Sequence, residues 1–111
     1  MSDSISVPPA VDAFVAAIND ADTDAFVALF ADDGLIDDWG TQYRGAARVR
    51  AWAGSDAIGA GAQMSLLSAE TAGEVTTVRF GWLSRVFNGE STGIFTVTGD
   101  KLASFVIPPA H

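Results

Sequence analysis

Cysteine is absent from the 111 residues, so no disulfide framework, thiol nucleophile or cysteine-ligated metal is available. Histidine occurs once, as His111 at the C-terminus, where an exposed side chain is expected; with no cysteine to join it, no metal site is expected. Basic residues are scarce, six against fourteen acidic, giving a formal charge of −8. Over residues 1–38 the shortage is total, with nine Asp and no Lys or Arg. Such a surface repels phosphate backbones and anionic lipid, which disfavours nucleic-acid and membrane-surface partners. No apolar run approaches the roughly 20 residues of a membrane span, and the start, MSDSISVPP, lacks the basic and apolar stretches of a signal peptide. A soluble cytoplasmic protein without a cofactor is the expectation. Internal repeats and low-complexity tracts are also missing.

What remains is a chain with 49% hydrophobic and 18% charged residues, the composition of a folded single domain large enough to bury a core. Residues 1–7 read as a loose tail and 8–111 as one domain. Pro8-Pro9 suits the entry to a helix, where a missing N–H is harmless. Val11, Phe14, Val15 and Ile18 then recur at the spacing of one helical face. Asn19 to Thr23 is a polar break, with Asp22 or Thr23 as N-cap of a second helix. Phe26, Leu29 and Phe30 form its stripe; Asp32-Asp33-Gly34 stops it, and Leu35-Ile36 opens a short strand to Asp38. Trp39 to Gln42 reads as a turn, Gly45 to Ala53 as a third helix, and Gly54 to Gly61 as a loop.

From Gln63 the hydrophobic period changes to two. Strands are expected over 63–71, 75–87, 92–98 and 101–107. On the long one, Val78, Phe80, Trp82, Ser84 and Val86 share one face, and Asn88-Gly89 is a hairpin signal. The architecture is therefore α+β, with helices packed on a strongly curved, mostly antiparallel sheet.

The ordered set Asn19-x-x-Asp22-x-Asp24-x-Phe26-x-x-Leu29-Phe30-x-Asp32-Asp33-Gly34, then Asp38 and Tyr43-Arg44-Gly45, resembles the SnoaL-like branch of the nuclear transport factor 2-like superfamily. The likeness is to ketosteroid isomerases over residues 11–38 and is looser to about residue 107. It implies a cone-shaped fold with three N-terminal helices, an apolar pocket inside the cone, and a homodimer. The outer face of the long strand, with Leu83 and Phe87, is the expected dimer surface. The fold hosts isomerases, cyclases, epoxide hydrolases, dehydratases and non-catalytic modules, so it leaves activity open.

By this resemblance Asp38 matches the aspartate that shuttles a proton between carbon atoms of a steroid. That task needs a carboxylate in apolar surroundings, where desolvation disfavours the charged form and strengthens the base. The other reading of Asp38 is a strand-end residue in water, or a cap on the Trp39 turn. Asp37 faces the opposite way in a regular strand, and a one-residue slip exchanges the two. Phe14 and Gly93 stand where those isomerases carry their oxyanion donors, a Tyr and a protonated Asp, so steroid isomerisation itself is not expected. Epoxide hydrolases of the family hold water with an Asp–Arg–Asp set. Arg79 and Arg85 are the corresponding sort of residue, but carboxylates near them fall in or beside turns.

Phe14, Ile18, Trp39, Tyr43, Trp52, Met64, Phe80, Trp82, Phe95 and Phe105 are the candidate wall of the pocket, and equally serve as ordinary core or subunit interface. Two functions follow. One is an isomerase, cyclase or dehydratase acting on a small hydrophobic carbonyl compound, steroid- or polyketide-like, with Asp38 as proton shuttle. The other is a non-catalytic ligand-binding or dimerisation module.

Overall fold

The computed structural model describes residues 5–109. Helix α1 (Pro9–Asn19) and helix α2 (Thr23–Ala28) lead into strand β1 (Phe30–Asp38) and strand β2 (Thr41–Arg44). Helix α3 (Ala46–Asp56) and a short 3-10 turn (Ile58–Ala60) follow. Strands β3 (Gln63–Ala72), β4 (Val75–Leu83), β5 (Asn88–Thr98) and β6 (Lys101–Ile107) complete a six-stranded sheet in the order β2-β1-β6-β5-β4-β3. The β1–β6 pairing is parallel and every other one antiparallel, so the sheet is mixed. Register shifts leave extra residues in β1, β3 and β6, bulges that bend and twist a sheet.

Helix α1 buries Val11, Phe14 and Ile18, together with Ala10 and Ala17. Phe14 is the centre of the core: its ring lies 5.0, 4.9 and 4.7 Å from those of Phe26, Phe95 and Phe105. Asp22 caps α2 by accepting the Ala25 N–H at 3.1 Å. The Asn19 amide donates to the Met64 carbonyl at 2.9 Å and accepts the Met64 N–H at 2.7 Å. It thereby satisfies both main-chain groups of Met64 on edge strand β3 and ties the end of α1 to the sheet. Val7 also packs against this core, whereas residues 1–4 of the expected tail and His111 lie outside the described residues.

Four expectations need correction. The three helices are not all N-terminal, because the β1–β2 hairpin precedes α3. Leu29-Phe30 does not continue α2: the helix ends at Ala28, and Phe30 already pairs with Leu102 of β6. Residues 41–44 are strand β2, its Tyr43 opposite Ile36, and four residues with little alternation gave no signal of it. Asn88-Gly89 is not the turn between β4 and β5. Asn88 pairs with Leu83 and Gly89 with Trp82, and the chain reverses over Ser84 to Phe87. There the Ser84 hydroxyl accepts the N–H groups of Val86 and Phe87, and the Asn88 side chain accepts that of Ser84. These local bonds outcompete the two-residue hairpin.

Candidate active site

The ends of β1 and β6, the inner faces of β4 and β5, and helix α3 converge on a cavity of about 350 Å3. Its floor is Trp52, Phe80, Trp82 and Ile107, all at most 8% exposed. Its rim is Trp39, Val86 and Phe87, each 46% exposed or more. Asp38, Asp56 and Ser91 supply its polar wall.

The strand register places Asp38 on this wall and turns Asp37 away from it. Asp37 is committed to the β1–β2 turn, where one oxygen accepts the Gly40 N–H at 2.9 Å and the other the Gln42 amide at 3.2 Å. Asp38 Oδ2 accepts the indole N–H of Trp52 at 3.0 Å. The bond gives a buried N–H its partner and fixes the carboxylate's orientation in one contact. Trp39 begins the turn at a φ of +55°, sparsely populated for a bulky residue, and its N–H donates to the Ile107 carbonyl at 2.9 Å. The parallel β1–β6 pairing thus fixes the backbone that carries the Trp39 ring at the cavity mouth.

Of the ten aromatic and apolar residues singled out from the sequence as pocket wall, Trp39, Trp52, Phe80 and Trp82 line the cavity. Phe14, Ile18, Met64, Phe95 and Phe105 do not: they are at most 2% exposed and pack as core, because α1 lies directly over the sheet. Tyr43 sits on β2, half-buried against the core and outside the lining. Burial pushes its hydroxyl pKa above 10.0, aided by the negative charges of Asp56 and Asp38 and opposed by Arg48.

Asp56, Ser91, Ile107, Val86 and Phe87 were not anticipated. Asp56 follows Trp52 by one helical turn and shares its face, a signal hidden by reading Gly54 onward as loop. Val86 and Phe87 reach the rim only because the chain turns at Ser84, which also removes Phe87 from the outer face where it was expected beside Leu83.

The isomerase donors have no substitute at their own positions. Phe14 carries no donor, and Gly93 has no room for one: a Cβ there would stand 2.8 Å from Phe105 Cε1 and 3.1 Å from Phe80 Cε1. The Asp–Arg–Asp arrangement is not assembled either. Arg79 pairs with Glu90 at 3.4 Å, and the Arg85 guanidinium donates to the Gly59 carbonyl. Arg50 pairs with Asp24 at 2.9 Å and Arg44 donates to the Asp33 carbonyl. No group of acidic or histidine side chains suited to a metal is present among the described residues.

No family model matches the sequence, and no curated protein does. Solved structures do match. A candidate polyketide cyclase from Sinorhizobium meliloti superposes with a TM-score of 0.81 at 25% identity, over 91% of this chain and 94% of its own. An epoxide hydrolase/cyclase-like enzyme of pyran ring formation in the polyether salinomycin gives 0.80 at 20% identity, over 89% and 86%. A protein from Catenulispora acidiphila with a ketosteroid isomerase-like fold, solved in complex with trimethylamine, gives 0.76 at 19%, over 95% and 88%. The fold of this chain is that of the SnoaL-like, nuclear transport factor 2-like superfamily. Among the described residues, no helix is long and apolar enough to cross a membrane.

Proposed function

We propose that this protein binds a small, largely apolar molecule in the cavity, with Asp38 as the group that contacts it. The observation that carries the reading is the bond from Trp52 to Asp38, which aims a carboxylate into a pocket whose floor is otherwise aromatic and aliphatic. Sites of this kind take their affinity from apolar surface and their orientation from a few placed polar groups.

Proton transfer is the second reading, favoured by the same bond. Asp38 Oδ2 is held by the indole, and Oδ1 makes no hydrogen bond among the described residues, so it is available to accept a proton from a carbon acid. An enolate formed there would find only neutral donors on the wall, the Ser91 hydroxyl and the indole N–H groups of Trp39 and Trp82, which limits the acceleration. Self-association through the outer face of β4, where Leu83 is 61% exposed, belongs to the proposal as well. Sedimentation tests it, and a monomer at every concentration refutes it.

All three tryptophans of the chain line the cavity, so their emission reports on its occupancy. A neutral solvatochromic dye such as Nile red should bind with a saturable blue shift and quench that emission. Ser91→Phe, at a half-buried wall position, should fill the space and abolish both signals while the fold persists. Dye binding unaffected by Ser91→Phe refutes the assignment. Exchange of α-hydrogens of simple ketones in heavy water, lost in Asp38→Ala, separates the second reading from the first.

A further inference from the structure

The charge of the cavity wall is one-sided. Asp38 and Asp56 both line it, and no Lys, Arg or His does. The ion pairs among the described residues are Arg50–Asp24 and Arg79–Glu90, so neither wall carboxylate is neutralised within the chain. Their partners are neutral donors: the Trp52 indole for Asp38, and the Ser55 hydroxyl, at 2.6 Å, for Asp56. Arg48, on the same helix as Asp56, is exposed and acts on Tyr43, outside the lining.

Around these carboxylates stand three Trp and two Phe side chains. Aromatic faces carry negative potential and attract cations. An anionic or enolate-like ligand would meet like charge and only neutral donors, the Ser91 hydroxyl and the Trp39 and Trp82 indoles. A neutral apolar ligand would cover two carboxylates without offering either a partner, which is unfavourable. A cation clothed in alkyl groups answers both features.

We infer that the cavity takes an organic cation, a tertiary or quaternary alkylammonium group, with its charge between Asp38 and Asp56 and its alkyl surface against the tryptophans. The inference rests on the cavity being a small-molecule site and adds the class of ligand. The nine aspartates of residues 1–38 extend the same sign of potential beyond the cavity and would speed the encounter at low salt.

The experiment compares choline with its uncharged carbon analogue dimethylbutanol, in which carbon replaces the quaternary nitrogen. Tryptophan emission of the full chain is followed as each is added. Choline should bind about tenfold more tightly than the analogue, and more weakly as salt rises. Asp56→Asn should reduce choline binding severalfold and narrow its preference over the analogue; Asp38→Asn should do the same. Circular dichroism checks that each variant is folded. Should Asp38→Asn unfold by disturbing Trp52, Asp56→Asn and the rim variant Trp39→Leu carry the test. Equal or tighter binding of dimethylbutanol overturns the inference, as does choline binding insensitive to Asp56→Asn. If Nile red binds while choline shows no preference, only the charge of the ligand is wrong. If Nile red, choline and the analogue all fail to bind, the cavity is not a ligand site.

Discussion

The bond between Trp52 and Asp38 ties the stability of the fold to the site, and a double-mutant cycle measures it. Trp52 is 1% exposed, its ring stacked 5.9 Å from that of Phe26 and tilted 6.1 Å from that of Trp82, so Trp52→Phe removes both an N–H and part of a filled volume. The lost volume alone should cost about 1–3 kcal/mol. The 3.0 Å hydrogen bond to a carboxylate adds about 1.5–3 kcal/mol if fully buried. Asp38 is only partly buried, which moves that figure toward its lower end. Trp52→Phe should therefore lower unfolding free energy by about 3–4 kcal/mol. Asp38→Ala should lower it by about 1–3 kcal/mol, by stranding the indole N–H. Because both variants break the same bond, the double variant should fall short of the sum by about 1–2 kcal/mol. Urea unfolding read by far-ultraviolet circular dichroism is the assay, since tryptophan emission changes with the substitution itself. A coupling below about 0.5 kcal/mol would mean that Asp38 is not held by Trp52, and the argument for an aimed carboxylate would go with it.

Three further outcomes follow from particular contacts. Asn19→Ala leaves the Met64 N–H and carbonyl on the sheet edge without partners and should cost about 2 kcal/mol, read as a fall in Tm; a loss within experimental error would show that water replaces the amide fully. Gly93→Ala places a Cβ 2.8 Å from Phe105 and should destabilise by about 1–3 kcal/mol. Gly93→Asp should fail to fold stably before it restores any isomerase acid, which expression and circular dichroism will show. Tyr43, the single tyrosine, should titrate above 10.0 in the tyrosinate absorbance band of the folded protein. A raised pKa stabilises the fold below the unfolded value and loses that contribution as pH climbs through the folded one. Stability should thus decline above about pH 10 more steeply than in Tyr43→Phe, and equal slopes would refute it.

Which parts of this protein its sequence decided alone can be traced residue by residue. The stripe Val11, Phe14, Ile18 and the cap at Asp22 specify α1 and the start of α2, because helical periodicity and capping are local properties. The alternation of Val78, Phe80 and Trp82 specifies an inward face of β4 for the same reason, and the ordered motif from Asn19 to Gly45 pointed to the fold of the superfamily. Tertiary structure decided the rest. Whether Asp37 or Asp38 faces inward depends on the parallel pairing of β1 with β6 and on a bulge between Phe30 and Leu35, which no local pattern contains. Which aromatics are core and which are wall depends on where α1 lies over the sheet: it covers Phe95 and Phe105 and leaves Trp52 and Trp82 at the cavity floor. Asp56 and Phe87 meet Asp38 from distant parts of the chain, through a helix end and a loop. The cavity and its charge are sums over such long-range placements, and a sequence read in short windows contains only their parts.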